Sequence, residues 1–276
     1  MKQVGTQVDK LIARAINDRP RAEAGLPVQS KTMHLVFTGD PGTGKTTVAK
    51  EFGPLYKALG LVPEGQFIEA KNTDLIGSVM GETQEKTQKM FDKARGGVLF
   101  IDEAYSLVHG DQDMYGKQAI DVLVNEMYKH RDDTVVILAG YPEPMKKLLK
   151  TNPGLASRVP TTIHFPSYSQ TDAVKIFRHF GSKGHYTFAP GTQKAVEAAV
   201  GQIDHGNARE VESLYSEVVQ VNAARNASAE GSGKRPSTAA LRRLTPDDVA
   251  RGLAAYQANR LEQSGPRPRK RKPVKA

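Results

Sequence analysis

The sequence predicts an α/β fold, in which a parallel β-sheet covered by helices is followed by a smaller all-helical part. Two observations carry this prediction. Short apolar segments alternate with helix-forming segments up to about residue 166, and this alternation is typical of strands joined by helical crossovers. Beyond that point the remaining segments have helical patterns only.

The predicted strands are short, apolar segments bounded by polar residues or glycine. Such segments indicate strands that are buried in a sheet. The five segments are residues 33–38, 66–70, 97–101, 133–141 and 161–165. The sequence therefore predicts a five-stranded sheet.

Helix-forming segments separate the strands. Residues 1–30 predict an amphipathic helix and a polar connector, and residues 45–59 predict a helix interrupted near Gly53-Pro54. Residues 81–95 are polar and helix-forming, while residues 117–131 carry apolar side chains at helical spacing, so that one face packs in the core.

The second part of the chain predicts helices and no further strand. Thr245 is a candidate N-cap for the last helix, and residues 226–240 predict a flexible surface insertion. We divide the chain into residues 1–32 as N-terminal helix and linker, 33–166 as α/β domain, 167–262 as helical domain, and 263–276 as basic, disordered tail.

Composition excludes several classes of protein. The sequence has no cysteine, so disulfides and thiolate metal sites are excluded, and a cytoplasmic location is expected. It contains no apolar run long enough to span a bilayer, and its start lacks the pattern of a secretory signal. The seven histidines have no metal-ligand spacing, so a transition-metal site is not expected.

The net charge of +9 is unevenly distributed. The tail "RPRKRKPVKA" has no acidic residue, and without its six cations the net charge of the rest is 9 − 6 = +3. These cations are Arg267, Arg269, Lys270, Arg271, Lys272 and Lys275. The tail is either a solvated end or an anchor for nucleic acid or another acidic partner.

A glycine-rich segment follows the first predicted strand and opens a helix. "FTGDPGTGKTTVAK" contains G-x-x-x-x-G-K-[ST], whose glycines let several backbone N–H groups point at one phosphate. The helix dipole adds to this attraction, the lysine reaches the β- and γ-phosphates, and the threonine hydroxyl holds Mg²⁺. The predicted ATP-binding residues are Gly39, Asp40, Pro41, Gly42, Thr43, Gly44, Lys45, Thr46 and Thr47.

Two adjacent carboxylates end another strand, in "VLFIDEAY" at residues 98–105. An ionised carboxylate is rarely placed beside buried strand residues without a partner. If this strand neighbours the glycine-rich one, Asp102 joins Thr46 in holding Mg²⁺, and Glu103 polarises the water that attacks the γ-phosphate. The alternative is a strand that simply ends at solvent.

Four segments together resemble AAA+ ATPases: "HLVFTGDPGTGKTTVAK", "VLFIDEAYSL", "VVILAGYPEPM" and "NPGLASRV". The resemblance is strongest to the branch that holds the red-type rubisco activase, stage V sporulation protein K and the ATPases of type VII secretion systems. It implies a P-loop NTPase core with a helical lid, which binds ATP and Mg²⁺ and hydrolyses ATP to ADP and phosphate. It also implies a ring of identical subunits, expected to be a hexamer, that acts on a protein substrate.

The resemblance also implies roles for residues outside the phosphate loop. Arg158 stands where these proteins keep an arginine finger for the nucleotide of the adjacent subunit, and Arg209 matches the second sensor of the lid. Val4 and Gly5 lie in a segment similar to the one that flanks the adenine. The alternatives are a surface salt bridge for Arg158, an exposed helix start for Arg209, and an ordinary helix start for Val4 and Gly5.

Three features depart from the family or leave a role open. Tyr141 stands where many relatives place a small polar first sensor, so a locally packed tyrosine is an equal alternative. In the first central loop, residues 74–83, Val79 and Met80 occupy the place of the usual aromatic–aliphatic pair. The second loop, residues 106–118, carries Tyr115, which either contacts substrate or belongs to a simple connection.

The leading interpretation is an ATP-driven machine that remodels a partner protein. The competing one is a nucleic-acid-associated ATPase, such as a loader or a transposition helper, anchored by the basic tail. A scaffold that binds ATP without turnover is disfavoured, because it would not need Glu103 or Arg158.

Overall fold

The computed structural model describes residues 2–27, 32–79, 81–110, 112–203, 207–231, 233 and 235–263. The chain forms two compact units, Met1–Ser167 and Tyr168–Ala276. The first is α/β and the second is largely helical, which confirms the predicted fold class. The predicted basic tail, beyond Gln263, lies outside the described residues.

The first unit contains a five-stranded sheet in the order β2-β3-β4-β1-β5. All neighbouring strands run parallel. The strands are β1 (Leu35–Gly39), β2 (Phe67–Ala70), β3 (Val98–Ile101), β4 (Val135–Gly140) and β5 (Thr161–Phe165). Each of the five predicted strands is therefore present.

Helices cover both faces of this sheet, as the fully buried residues of β1, β3 and β4 require. One core joins the sheet to α1 and α2, and the other joins it to α4, α5, α6 and α7. The helices are α1 (Lys2–Glu23), α2 (Lys45–Ala58), α3 (Asn72–Leu75), α4 (Glu82–Ala94), α5 (Met114–Lys129), α6 (Pro142–Thr151) and α7 (Pro153–Arg158), with a 3₁₀ turn at Ala104–Leu107.

The strand order corrects one expectation. β4 lies between β1 and β3, so the strand that carries Asp102 is not the direct neighbour of the strand that enters the glycine-rich loop. Both strands still end at the same edge, because parallel strands align their carboxyl ends.

Helix α2 is continuous, so the predicted interruption at Gly53-Pro54 is wrong. Hydrogen bonding resumes after the proline, where the N–H of Leu59 donates to the carbonyl of Leu55. Gly53 is buried. A Cβ at this position would collide with the carbonyl of Gly65, so only glycine fits there. The glycine thus serves close packing of the helix against the following turn and does not break it.

The second unit contains α8 (Gln170–Lys183), α9 (Thr192–Val200), α10 (Ala208–Gly231), α11 (Thr238–Leu241) and α12 (Pro246–Gln263). Apolar side chains of α8, α9, α10 and α12 share one core. Thr245 caps α12 as predicted, because its hydroxyl accepts from the N–H of Asp248 at 3.2 Å and its own N–H donates to that carboxylate at 2.9 Å.

Two expectations for this unit are wrong. Two short strands, β6 (Thr187–Phe188) and β7 (Arg243–Leu244), form a parallel pair, whereas no strand was expected. Residues 226–231 continue α10 and do not belong to a flexible insertion. Asn226 is buried there, and its amide donates to Asn222 at 3.1 Å, so a polar sequence is held in the helix by side-chain hydrogen bonds.

Candidate nucleotide-binding and hydrolysis site

The glycine-rich loop connects the carboxyl end of β1 to the first turn of α2. Gly39 closes the strand at a point where a Cβ would collide with the carbonyl of Phe165 in β5. Gly42 and Gly44 have φ angles of 71° and 91°, in the region that favours glycine. These glycines let the loop turn tightly before the helix begins at Lys45, and the first N–H groups of a helix have no partner within the helix.

The side chains of the loop hold it in a closed form. The Lys45 ammonium donates to the carbonyls of Gly39 at 2.7 Å and Asp40 at 2.9 Å. The Thr43 hydroxyl donates to the carbonyl of Asp40 at 2.8 Å, and the Ser167 hydroxyl donates to the Asp40 carboxylate at 2.9 Å. These bonds place the Lys45 ammonium against the backbone of the loop, where a bound phosphate would be within its reach.

The remaining predicted loop residues line the same turn. Pro41 and Thr47 are exposed, and Gly42, Gly44 and Thr46 are partly exposed. The hydroxyl of Thr46 therefore lies at the accessible start of α2, where its residue type suits a Mg²⁺ ligand.

Asp102 and Glu103 follow β3 at the carboxyl edge of the sheet. The N–H of Glu103 donates to Asp102 Oδ1 at 2.9 Å. Glu103 has φ 48° and ψ 41°, a left-handed conformation that is uncommon for residues other than glycine and that concentrates at functional sites. Glu103 is exposed, so the strained turn places an accessible carboxylate beside the strand end.

Sequence reasoning did not identify Tyr105 as a residue of this edge. Its ring lies 5.6 Å from the ring of Tyr141, centroid to centroid, and close to Gly140, where a Cβ would meet it. Burial, followed by the charge of the Glu103 carboxylate, raises the pKa of Tyr105 to about 12. Tyr141 is thus packed against an aromatic neighbour. Local packing was the alternative to a role as first sensor.

Oxygen ligands are the ones that Mg²⁺ prefers, and the hydroxyl of Thr46 and the carboxylate of Asp102 fit this preference. Within the part of the chain that the structure describes, no group of three His, Cys, Asp or Glu side chains could hold a metal.

Arg158 lies at the opposite, amino edge of the sheet. It ends α7 three residues before β5, and its carbonyl accepts a hydrogen bond from the hydroxyl of Thr32 at 2.5 Å. Thr32 in turn lies three residues before β1. The five residues of β1 span roughly 13 Å, so the length of the sheet separates Arg158 from the phosphate loop of its own chain.

The other candidates occupy separate places. Val4 is buried in the core that joins α1 to the sheet, while Gly5 is exposed and has open space around it. Arg209 is exposed in the first turn of α10 in the second unit, and its carbonyl accepts from Ser213 at 3.0 Å.

The central loops expose apolar side chains. Val79 is 62% exposed and Tyr115 is 38% exposed, while Met80 lies outside the described residues. Beside Val79, the Glu82 carboxylate accepts from the N–H of Ser78 at 2.6 Å and pairs with Lys86 at 3.1 Å. These bonds lower the pKa of Glu82 to about 2, and they fix the loop that carries Val79.

Comparison with known proteins agrees with this arrangement. Residues 35–167 match the model of the ATPase family associated with various cellular activities (AAA), and residues 169–262 match the AAA lid domain. The chain belongs to the AAA ATPase family. Nucleotide binding and ATPase activity are the general properties of that family.

Two curated relatives confirm the predicted branch. Stage V sporulation protein K of Bacillus subtilis is 36% identical over 232 residues, which cover 82% of this chain and 72% of that protein. The chloroplastic ribulose bisphosphate carboxylase/oxygenase activase of Cyanidioschyzon merolae is 37% identical over 216 residues, covering 76% of this chain and 74% of the relative.

A solved structure shares the fold. The FIGL-1 AAA domain, crystallised in complex with ADP, superposes with a TM-score of 0.63 over 92% of this chain and 87% of that one, at 15% identity. In the described part of this AAA protein, no helix is both long and apolar enough to cross a membrane.

Proposed function

We propose that this protein hydrolyses Mg·ATP between the subunits of a ring and uses the resulting motion to remodel a partner protein. The observation that carries the proposal is the placement of the charged groups on opposite edges of one sheet. Lys45, Asp102 and Glu103 lie at the carboxyl edge, and Arg158 lies at the amino edge.

The opposite edges favour a head-to-tail assembly. An arginine beyond the amino ends of the strands is too far from the phosphate loop of its own chain to act there, so its natural target is the nucleotide of a second subunit. A contact between two different surfaces, repeated around an axis, closes into a ring. Family resemblance favours six subunits.

At the carboxyl edge the residues have separate tasks. Lys45 exchanges the carbonyls of Gly39 and Asp40 for the β- and γ-phosphates, where its charge is better matched. Thr46 and Asp102 would hold Mg²⁺, which neutralises charge on the phosphates when bound. The exposed carboxylate of Glu103 orients the attacking water and accepts its proton.

The remaining candidates would contact the nucleotide from outside the carboxyl edge. Arg158 would neutralise charge that develops on the γ-phosphate of the neighbouring site. Arg209, at the start of α10, would couple the helical lid to the nucleotide. Val4 and Gly5 would flank the adenine, with Val4 anchored in the core and Gly5 leaving space.

The partner is proposed to be a protein. One relative is named as an activase of ribulose bisphosphate carboxylase/oxygenase, and Val79 and Tyr115 expose apolar surface on the central loops. Val79 is smaller than the usual aromatic residue, which favours remodelling by a weak grip over deep threading. The expected setting is the cytoplasm.

The first experiment is substitution of Glu103 by glutamine in the full chain. We expect unchanged Mg·ATP affinity and steady-state turnover reduced at least about a hundredfold, because the general base is removed while the site keeps its shape. Glu230→Gln, at an exposed glutamate of α10, is the matched control and should retain full turnover. Normal ATPase activity of Glu103→Gln would remove Glu103 from the reaction.

The second experiment tests action between subunits. Arg158→Ala and Glu103→Gln proteins are each expected to be inactive, and mixing them should restore part of the ATPase activity. Recovery is expected because some interfaces combine an intact Arg158 with an intact Glu103. If no ratio restores activity, Arg158 does not act on a neighbour.

The third experiment decides whether a partner is bound. Glu103→Gln held in Mg·ATP should retain its partner protein, because release normally follows hydrolysis, and affinity capture from a lysate of the source cells identifies it.

The nucleic-acid alternative rests on the tail cations beyond Gln263, outside the described residues. Deletion of residues 263–276 tests it. If the full chain binds DNA in a salt-sensitive way and the deletion abolishes this binding, the tail is an anchor. If the full chain does not bind DNA at low salt, the alternative fails.

A further inference from the structure

An exposed aromatic side chain stands at the amino edge of the sheet. Tyr128 is 59% exposed, although it follows directly on Met127, which is buried at the end of α5. The carbonyl of Met127 hydrogen-bonds His34, which immediately precedes β1. The end of α5 is thereby fixed beside the segment that bonds to Arg158, since Thr32 lies in that same segment.

Two guanidinium groups lie over the ring of Tyr128. The Cζ atom of Arg131 is 5.1 Å from the ring centroid, and the Cζ atom of Arg158 is 5.6 Å from it. Both distances are within the range of cation–π attraction. The ring therefore brings together two arginines that lie 27 positions apart in the sequence, and holds both at the solvent-facing surface.

The Arg158 side chain has little freedom at its base. Its Nε atom is buried, and its Nη1 donates to the carbonyl of Gly154 at 3.0 Å and to the hydroxyl of Ser157 at 3.2 Å. These bonds use one terminal nitrogen. The contact with Tyr128 is a further restraint on the guanidinium, which matters because bidentate phosphate binding needs a defined plane.

Arg131 is weakly engaged by its own chain. It pairs with Asp132 at 3.6 Å, and the side chains of both residues are substantially exposed, at 42% and 86%. Such a pair contributes little in water. The neighbouring lysine, Lys129 at the end of α5, is bound instead to the buried Glu126 at 2.7 Å. Arg131 and Arg158 thus form the pair of positive charges that meets the solvent at Tyr128.

We propose that Tyr128 is a positioning residue for Arg158, and that Arg131 supplies a second guanidinium to the same target. The target is the triphosphate bound by a second copy of this chain, because two guanidiniums beside one ring suit a polyvalent phosphate. The inference rests on the proposed function and deepens it. The amino edge then carries a two-arginine site, in which an aromatic ring sets the geometry.

Steady-state ATPase of the full chain tests the positioning role. Tyr128→Leu should lower kcat about fivefold, in line with the strength of an exposed cation–π contact, with the KM for ATP unchanged. Tyr128→Phe keeps the ring and should have a kcat close to that of the wild type. Unchanged melting temperatures for both variants would show that folding is intact, and unchanged kcat in Tyr128→Leu would overturn the proposal.

A double-variant comparison separates positioning from general structural damage. In an Arg158→Ala background, with residual turnover followed by radiolabelled ATP, Tyr128→Leu should cause no further loss, because its effect passes through Arg158. A further fivefold loss in that background would contradict the proposal. If Arg158→Ala retains full turnover, both the proposed action between subunits and this inference fail. If Arg158→Ala loses turnover but Tyr128→Leu has the turnover of the wild type, this inference alone fails.

The second guanidinium is tested by Arg131→Gln. We expect a several-fold lower kcat and partial recovery when this variant is mixed with Glu103→Gln, since Arg131 acts on the neighbouring site. Arg251→Gln is the matched control, because Arg251 is likewise a surface arginine with a weak ion pair, to Asp247 at 3.9 Å. An Arg131→Gln protein that behaves like the control would limit the site to Arg158.

Discussion

The two edges of the sheet differ in how they are built. At the carboxyl edge, residues 39–46 are contiguous, and the acids follow another strand directly. At the amino edge, the key contacts join distant segments: Thr32 bonds to Arg158, 126 positions away, and His34 bonds to Met127, 93 positions away. The first edge is a local motif, while the second depends on the complete fold.

This difference has consequences for variants. Changes to the charged side chains of the carboxyl edge should act on nucleotide binding and chemistry within one subunit. Changes at the amino edge should act on folding or on the neighbouring subunit. The following variants are ordered from the largest expected effect to the smallest.

The largest effect is expected at Lys45. Lys45→Ala removes the cation that bonds to the loop carbonyls and is proposed to bind the phosphates, so ATP turnover should fall on the order of a thousandfold. Mg·ATP affinity, measured by calorimetry, should fall with it. Lys50→Ala, an exposed lysine of the same helix, is the control, and an equal loss there would contradict a specific role.

Gly39 tests the close approach of β1 and β5. Gly39→Ala should lower the free energy of unfolding by about 3 kcal/mol, because the added Cβ meets the backbone carbonyl of Phe165 and forces a strand to shift. Gly231→Ala has open space around its Cβ, so it should be neutral or stabilising by up to about 1 kcal/mol. Denaturant unfolding measures the free energy of unfolding of both variants. Equal changes would show that the close approach of Gly39 to Phe165 does not limit stability.

His34 makes the amino edge sensitive to acid. The N–H of Val136 donates to its Nδ1 at 3.0 Å, and its Nε2 bonds to the carbonyl of Met127 at 3.1 Å, so the ring fits as a neutral tautomer. Burial lowers the pKa of His34 to about 4; the bond to Met127 opposes this shift, and the charge of Arg158 adds to it.

The sign of the pH effect follows from the lowered pKa. Between pH 6.5 and about 4 the unfolded chain takes up a proton at this histidine that the folded protein does not. Stability should therefore fall as the pH drops through this window, by about 3 kcal/mol in total, and level off below it. Urea unfolding at several pH values measures this, and His34→Gln should remove that part of the slope. A slope equal to that of the wild type would assign the acid sensitivity elsewhere.

The smallest effect on stability is expected at Glu82, whose role is confined to one loop. Glu82→Gln weakens the bonds to the N–H groups of Ser78 and Val79, so exchange of these two amides should accelerate about tenfold. ATP affinity should not change. Glu85→Gln, at an exposed position of the same helix, is the control, and unchanged exchange in Glu82→Gln would show that the loop is fixed by other contacts.

Much of the carboxyl edge could be predicted because its signals are local. The apolar segments at residues 33–38 and 97–101 mark buried strands, and the glycine and lysine positions of residues 39–46 follow from phosphate chemistry. The family resemblance then located Arg158. The sequence did not indicate that Tyr105 packs against Tyr141, because a contact between side chains 36 positions apart has no periodic signature.

The helical unit shows where local signals mislead. β6 and β7 contain two residues each and lie far apart in the sequence, too short for any pattern to appear. The polar composition of residues 226–231 favours a loop, yet buried hydrogen bonds between Asn226, Asn222 and the carbonyl of Arg243 keep α10 helical. Tertiary contacts override propensity at such positions.

The sequence by itself determined the strands, the glycine-rich turn between β1 and α2, and the family, because each depends on residues within a few positions of one another. Only the tertiary structure decided that β4 separates β1 from β3, and that Arg158 and Arg131 both lie over the ring of Tyr128, at the edge opposite the glycine-rich loop. The reason is physical: strand order and edge contacts arise from packing of segments that are distant in the chain, and packing is a property of the whole fold.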